Sequence, residues 1–347
     1  METPPIGPPA ELKVETQLLA TGRAVGDEAL AHADAGVDGV FTFEGPHDPF
    51  VPLTVAATAT DLAISTSVAL AFVRSPMSFA HLAWDLQQLS SGQFSLGLGT
   101  QVRGNVERRY GMAFDRPVAR MREIVEALHA IFDCWQSGTP LAYEGEFYRH
   151  TLMQPLFDPG PLEWGPPPVL VGALGPQMTR MAAAVADGVI VHPVMTPRFL
   201  AETTAPNLAA GAARGGRDLE GISIVADVIV ATGRDEAEMA TAMDGARALL
   251  AFYLSTPAYA APLVPYGWED LHRELHGLSK AGRWAEMTHL VDDEVLATLA
   301  VVGEPAAIAP AVRERFAIVA PERVGFYMPY AAPTDLVAAV VDGFRQP

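Results

Sequence analysis

Short apolar, β-branched runs alternate along the chain with longer stretches whose apolar positions recur every three or four residues. The two periods mark strands and amphipathic helices in regular succession, the signature of repeated β-α units. The runs predict eight strands, at Lys13–Leu18, Gly39–Phe43, Leu62–Ala69, Phe94–Leu98, Pro168–Val171, Gly188–Val191, Ile222–Ala231 and Arg323–Met328. Residues Ser223 to Val230 are nearly continuous in apolar character, as expected of a parallel strand covered on both faces. Between strands, Phe79, Leu82, Leu86 and Leu89 form one helical stripe; Val118, Met121, Ile124, Leu128, Ile131 and Trp135 form another. Several helices open on proline, at Ser75-Pro76, Gly175-Pro176, Thr196-Pro197, Glu304-Pro305 and Ala332-Pro333-Thr334. The first helical turn has no acceptor for that N–H, so proline fits there.

Eight such units allow an open doubly wound sheet or a closed barrel. The dinucleotide fingerprint Gly-x-Gly-x-x-Gly is absent, because Gly97-Leu98-Gly99 is followed by Gly104 at the wrong spacing. The prediction is therefore a (β/α)8 TIM barrel, a single domain over residues 1–347. Two connections exceed the ordinary length. One, Gly138–Pro167, carries a hairpin-like Tyr143–Tyr148; the other is an insertion at about 255–302 between the seventh and eighth strands, a candidate lid.

Composition narrows the function. The 347 residues carry 23 basic and 41 acidic side chains, a net charge of −18, which repels nucleic acid. Hydrophobic residues make up 50% and charged residues 18%, below the roughly 25% usual for soluble domains, which argues for a large core. Cys134 is the single cysteine, so there is neither an internal disulfide nor a cysteine zinc cage. The start, Met1-Glu2-Thr3-Pro4-Pro5, does not read as a signal peptide, and no apolar stretch is long enough for a membrane span. A cytoplasmic location is the expectation. With no His-x-His, His-Glu-x-x-His or Gly-x-Ser-x-Gly, neither a metal site nor a serine nucleophile is expected. Arginine-rich, lysine-poor, alanine-rich usage resembles that of GC-rich bacterial genomes.

The residues just past the strand ends converge on one mouth in a barrel. There, Val169-Leu170-Val171-Gly172-Ala173-Leu174-Gly175-Pro176 reads as strand, glycine turn and helix start, whose free N–H groups at Gly175, Gln177 and Met178 suit a phosphate. The same glycines also serve a simple tight turn. Gly97-Leu98-Gly99-Thr100 with Arg103 is a second anion candidate, although Arg103, Arg108 and Arg109 equally suit pairing with carboxylates such as Glu107 and Glu123. His47, close to Glu44 and Asp48, is the strongest titratable candidate, since an imidazole shuttles protons near neutral pH; a capping or surface role is the alternative. His192 takes a similar place after Val189-Ile190-Val191, whereas His32, His81, His129, His272, His276 and His289 lie in helical segments.

Several segments combine into a longer pattern: Ala35-Gly36-Val37-Asp38-Gly39-Val40, Glu44-x-x-His47-Asp48-Pro49-Phe50, Arg74-Ser75-Pro76, the stretch from Asp85-Leu86 through Leu89-Ser90-x-Gly92 to Gly97-Leu98-Gly99, Gly175-Pro176, and Ala186-Asp187-Gly188. Together they resemble the luciferase-like monooxygenase superfamily, and within it the oxidoreductases that use the deazaflavin coenzyme F420. The resemblance implies a (β/α)8 barrel, the cofactor ring at its mouth, and the phosphate between the fourth- and fifth-strand loops. On this chain that assigns cofactor contacts to Gly99, Thr100 and Arg103 on one side and Gly172, Ala173, Gly175 and Gln177 on the other, with His192 nearby. It also implies a bulge supporting the ring around Ser67 and Val68, through a non-proline cis peptide in relatives. Two departures stand out: Glu44 followed by His47 replaces an adjacent Asp-His pair, and Gln93 replaces an arginine.

The expected protein is thus an oxidoreductase moving a hydride between C5 of coenzyme F420 and a small organic substrate, with His47 as general acid/base and Glu44 orienting it. Phe252, Tyr253, Tyr259, Trp268 and Trp284 are expected to shape an apolar substrate pocket, or equally the insertion's own core. An FMN-dependent monooxygenase on the same scaffold is the first alternative, and a non-catalytic barrel that has lost its cofactor the second. The resemblance also implies a homodimer.

Overall fold

The alternating pattern closes into a ring. In the computed structural model, which describes residues 12–346, eight strands carry the barrel: β1 (Lys13–Gln17), β2 (Gly39–Thr42), β3 (Ala63–Thr66), β4 (Phe94–Gly99), β5 (Val169–Ala173), β6 (Gly188–Val191), β7 (Ser223–Thr232) and β8 (Arg323–Tyr327). Each strand pairs in parallel with the next, and β8 returns to β1 through Val14 opposite Val324 and Thr16 opposite Phe326. The expected (β/α)8 barrel is the observed one. Strand limits lie within two residues of those read from the sequence, except in β3. The Met1–Pro5 segment lies outside the described residues.

Period-two alternation assigns each strand residue to one of two cores. Val14, Val40, Ile64, Leu96, Val171, Val189, Val228 and Phe326 join the large apolar cluster shared with the helices. Residues of opposite parity point inward, where Leu170, Ile190 and Val225 form a smaller apolar cluster with Val68. The helices bury their stripes as the spacing requires: Met121, Ile124, Leu128, Ile131 and Trp135 of helix Pro117–Ser137 are fully covered. Leu89 departs from expectation at 40% exposure. It is the last residue of helix Pro76–Leu89, whose buried face runs instead through Phe79, Ala83, Trp84 and Gln87. The proline starts hold at Pro76, Pro176, Pro197 and Pro305, whereas Pro333 is the N-cap of helix Thr334–Arg345; Ser75 caps its helix by accepting the Ser78 N–H, and Thr196 does the same for Phe199.

Polar groups share the barrel interior. Glu15 on β1 is 2% exposed and accepts from Arg323 Nη1 on β8 at 2.9 Å and from Ser65 Oγ on β3 at 3.1 Å. The register sets Glu15 opposite Gly325 and Gly39, so its carboxylate reaches Arg323 two residues along β8 and, across β2, Ser65. Such a pair is held by geometry, and the loss of one partner strands the other charge in a dry interior.

The connections position the site. Residues 138–167 contain the predicted hairpin, with Tyr143 opposite His150 and three backbone N–H groups of its turn bonded to Glu123. After β7 comes helix Glu236–Leu254, followed by the helical segments of the 255–302 region. That region ends in strand Ala300–Gly303, which pairs with the outer end of β7 at Ile229–Thr232. No helix among the described residues is long and apolar enough to cross a membrane.

If the Glu15–Arg323 pair is held by burial, Glu15→Ala is expected to lower unfolding free energy by roughly 3–5 kcal/mol. Replacing both residues by Met is expected to recover much of it; urea denaturation of the single and double variants measures both.

Candidate active site

The third strand breaks at the mouth. The sequence predicts one strand over Leu62–Ala69; the structure splits it into Ala63–Thr66 and Ala69–Leu70, with a cis peptide between Ser67 and Val68. The break has local fastenings. Ser67 N–H donates to Thr42 O at 2.7 Å, and the Glu44 N–H takes Val68 O at 3.0 Å. Thr66 Oγ1 donates to Gly97 O at 2.7 Å and accepts the Gly97 N–H at 2.9 Å. Val68 then turns its side chain toward two glycines: a Cβ on Gly99 would lie 2.3 Å from Val68 Cγ2, and one on Gly172 would lie 3.2 Å from Val68 Cγ1. Of the sequence-predicted cofactor residues, Ser67, Val68, Gly99 and Gly172 are therefore brought into one shelf.

Beneath the shelf lies Asp227 of β7, 3% exposed. Its Oδ2 accepts from Ser67 Oγ at 2.7 Å and lies 3.4 Å from the Tyr327 hydroxyl, which itself donates to Ser67 O at 3.0 Å. Oδ1 has no partner, and Gly325 leaves it room, since a Cβ there would come within 2.4 Å. Burial pushes the Asp227 carboxyl up to about 8; the nearby Glu15 charge adds to the effect, while the Ser67 and Tyr327 hydroxyls and the Arg323 charge oppose it. Sequence reasoning missed this residue. The signal was available: a carboxylate in the middle of an otherwise apolar strand.

Glu44 and His47 part company. Glu44 is buried, and its Oε2 accepts from Leu70 N–H at 2.8 Å and Arg74 Nη1 at 2.7 Å, while Tyr110 Oη lies 3.4 Å from Oε1. No hydrogen bond joins it to His47, which is exposed and unbonded among the described residues. The expectation of direct orientation does not match this geometry, because Glu44 Oε2 is taken up by Leu70 and Arg74 and Oε1 meets Tyr110. Arg74, a motif residue with no role assigned from sequence, bridges Glu44 and Asp48 (2.7 Å to each) and covers the Phe50 and Phe79 rings. Arg109 closes the other side by donating to Gly45 O.

The anion candidates are only partly assembled. Arg103 is exposed, paired with Glu107 at 2.7 Å and stacked over Phe114. Thr100 is half-buried at the end of β4. On the opposite loop, Ala173 is buried, Gly175 precedes the ten-residue helix Pro176–Val185, and Gln177 is exposed in its first turn. The N–H groups of Gln177 and Met178 have no acceptor inside that helix, and the position above Gly175 is open.

His192 sits across the mouth at the end of β6. Its Nδ1 accepts the Val194 N–H at 3.3 Å, which puts the ring proton on Nε2. Tyr253 and Tyr259 flank the ring at 5.3 and 4.4 Å between centroids. Burial lowers the imidazole to about 3, so it remains a neutral donor. The other lid aromatics stay off the imidazole: Trp268 stacks on Tyr266, and Phe252, exposed, lies between Tyr253 and the exposed Trp284. No cluster of His, Cys, Asp or Glu suited to a metal exists among the described residues.

The parallel eight-stranded barrel thus gathers a glycine shelf, a neutral imidazole and an open helix N-terminus at one mouth, the end at which barrel enzymes carry their active sites. Residues 7–320 match the luciferase-like monooxygenase family, and the chain belongs to it. It is 44% identical over 342 residues to an uncharacterised protein of Mycobacterium tuberculosis, covering 98% of this chain and 100% of that one. It is 29% identical to an F420-dependent glucose-6-phosphate dehydrogenase of Nakamurella multipartita, covering 74% and 77% respectively. The fold superposes on a coenzyme F420-dependent tetrahydromethanopterin reductase of Methanopyrus kandleri with a TM-score of 0.79 at 18% identity, over 95% and 96% of the two chains.

Two titrations test the electrostatics. A carboxyl raised from about 4 to about 8 leaves stability fully present below pH 4 and progressively lost as pH rises toward 8. Asp227→Asn is therefore expected to gain stability over the wild type as pH rises from 4 to 8, read from urea midpoints; a pH-independent difference would mean that the group is not held neutral. His192 is expected to show no titration between pH 5 and 8 by NMR.

Proposed function

We propose that this chain is a coenzyme F420-dependent oxidoreductase in which His47 is the general acid/base for hydride transfer to or from a small organic substrate. The observation that carries the reading is the convergence of Val68, Gly99 and Gly172 on one shelf at the barrel mouth, where only the absence of side chains on the two glycines admits the Val68 side chain. An extended planar ring suits such a shelf. Bound there, the deazaflavin supplies hydride chemistry at C5.

The chain's own groups divide the remaining work. The N–H groups of Gln177 and Met178, with Gly175 leaving the approach open, provide anion binding at a helix N-terminus. Arg103 adds a guanidinium from the facing loop; its exposed ion pair with Glu107 is worth only about 0–1 kcal/mol and exchanges readily for a phosphate. Thr100 and Ala173 stand at the ends of neighbouring strands on the same side, and neutral His192 offers an Nε2–H donor. His47 projects from the loop that Glu44, Arg74 and Arg109 hold in place, so Glu44 acts on it by fixing that loop.

Titrating the apoprotein with F420 and with FMN, followed by fluorescence, is the deciding experiment. Saturable F420 binding tighter than that of FMN is expected; preferential FMN binding with oxygen consumption would favour a monooxygenase, and binding of neither would favour a non-catalytic barrel. His47→Ala should lower turnover by roughly 10²–10⁴-fold while leaving cofactor affinity nearly unchanged. Arg103→Ala should weaken cofactor binding and reduce its salt dependence.

A further inference from the structure

A second feature of the mouth lies away from the shelf. Between the loops that follow β1 and β2 is a cleft of about 340 Å³. Its apolar walls come from Leu18, Ala20, Phe43, Pro46, Val51 and Pro52. Gln17, Thr21, Thr42, His47 and Asp48 are the polar side chains that border it.

The walls are fastened from behind. Glu28 accepts the Leu19 N–H at 3.0 Å and the Ala20 N–H at 2.9 Å, which ties the first loop to helix Ala24–Asp34. On the opposite wall, Thr42 Oγ1 donates to Pro49 O at 2.8 Å. Asp48, the one carboxylate in the lining, is committed to Arg74 Nη2 at 2.7 Å and to the Phe50 N–H at 2.9 Å. A preformed, mostly apolar hollow with a few directed polar groups is the usual form of a small-molecule site. Among the described residues the side chains of Gln17, Thr21 and His47 carry no hydrogen bond, and of these His47 has the imidazole that can exchange a proton with a bound oxygen.

We propose that this cleft binds the apolar body of the substrate, an uncharged organic molecule whose carbonyl or hydroxyl oxygen meets the His47 imidazole. This rests on the proposed function for the role of His47, but the binding claim stands without the cofactor. Size sets one limit. A cavity of about 150 Å³ holds benzene, so 340 Å³ takes roughly 13 non-hydrogen atoms at the same density. Charge sets the other. The lining offers no unpaired cation to an anionic ligand, Asp48 places a carboxylate in it, those of Glu28 and Glu44 lie behind its walls, and the chain as a whole carries −18. A sugar phosphate or carboxylate therefore meets an unfavourable field here, and a neutral ketone or alcohol does not.

Three probes share one ring system: 2-acetylnaphthalene is neutral, 2-naphthoate is an anion of matched size, and 2-(aminomethyl)naphthalene is a cation. Each is titrated into cofactor-free full-length protein by fluorescence, and the His47 ring proton, assigned by its loss in His47→Gln, is followed by NMR. Saturable binding of the ketone at least tenfold tighter than that of either ion, with a shift of the His47 resonance, is expected. Val51→Asp, at a position 64% exposed and so tolerant of a charge, should weaken ketone binding at least tenfold with an unchanged circular dichroism spectrum. Equal or tighter binding of either ion, no saturable binding, or ketone binding indifferent to Val51→Asp would overturn the proposal. A separate F420 titration of the wild type keeps its failure distinct from failure of the cofactor reading.

Discussion

The mouth of the barrel is organised around the break in its third strand. A strand that continued regularly past Thr66 would extend the β3 ladder straight upward; instead Ser67 and Val68 turn across the opening, and every neighbouring loop is registered to them. Thr42 and Glu44 take up the backbone groups on one side, the Thr66 hydroxyl bridges to Gly97 on the other, and Asp227 with Tyr327 holds Ser67 from below. Glycine at 99 and 172 is the steric counterpart of this turn, because a methyl group at either position would press on Val68. Backbone groups that leave a ladder must find other partners, and here almost all of those partners come from distant segments.

The charges at the mouth are spent on architecture. Arg74 and Arg109 hold the His47 loop, and Arg323, at the start of β8 and so far from the mouth, holds Glu15; little free positive charge faces the opening. In a chain of net charge −18, attraction of an anionic group depends on helix N–H groups and on a surface arginine that can change partners. Asp227 and His192 follow the same logic from opposite directions: neither makes an ion pair, and removal from water raises the acid and lowers the base, so that both are held neutral. The floor and far wall of the mouth are therefore polar without being charged.

Two sides of the mouth carry different structure. The 255–302 region closes one side, where Tyr259 reaches His192 and Thr196 donates to Pro262 O, so that its aromatic residues fill space rather than leave it. The opposite side, between the β1 and β2 loops, stays open, since the prolines and branched residues there cannot collapse onto one another across the Glu28 and Arg74 fastenings. Barrel enzymes vary their chemistry through such loops while the strands keep one geometry.

Much of this was legible in the chain itself. Period-two runs separated by helical stripes located all eight strands, and the glycine and proline punctuation located the loops that bear Gly99, Gly172 and His47, because burial of a strand or helix face is a local demand that each segment writes into its own spacing. The sequence also presented Asp227 inside an apolar run, a conflict that only a barrel interior resolves. What tertiary closure alone decided is which of these residues meet. Glu44 stands three positions from His47 yet bonds to Leu70 and Arg74, while Ser67 finds a partner 160 residues away on β7. Spacing along a chain governs which way a side chain faces, but the partner it faces is set by the register of strands that meet only when the ring is closed.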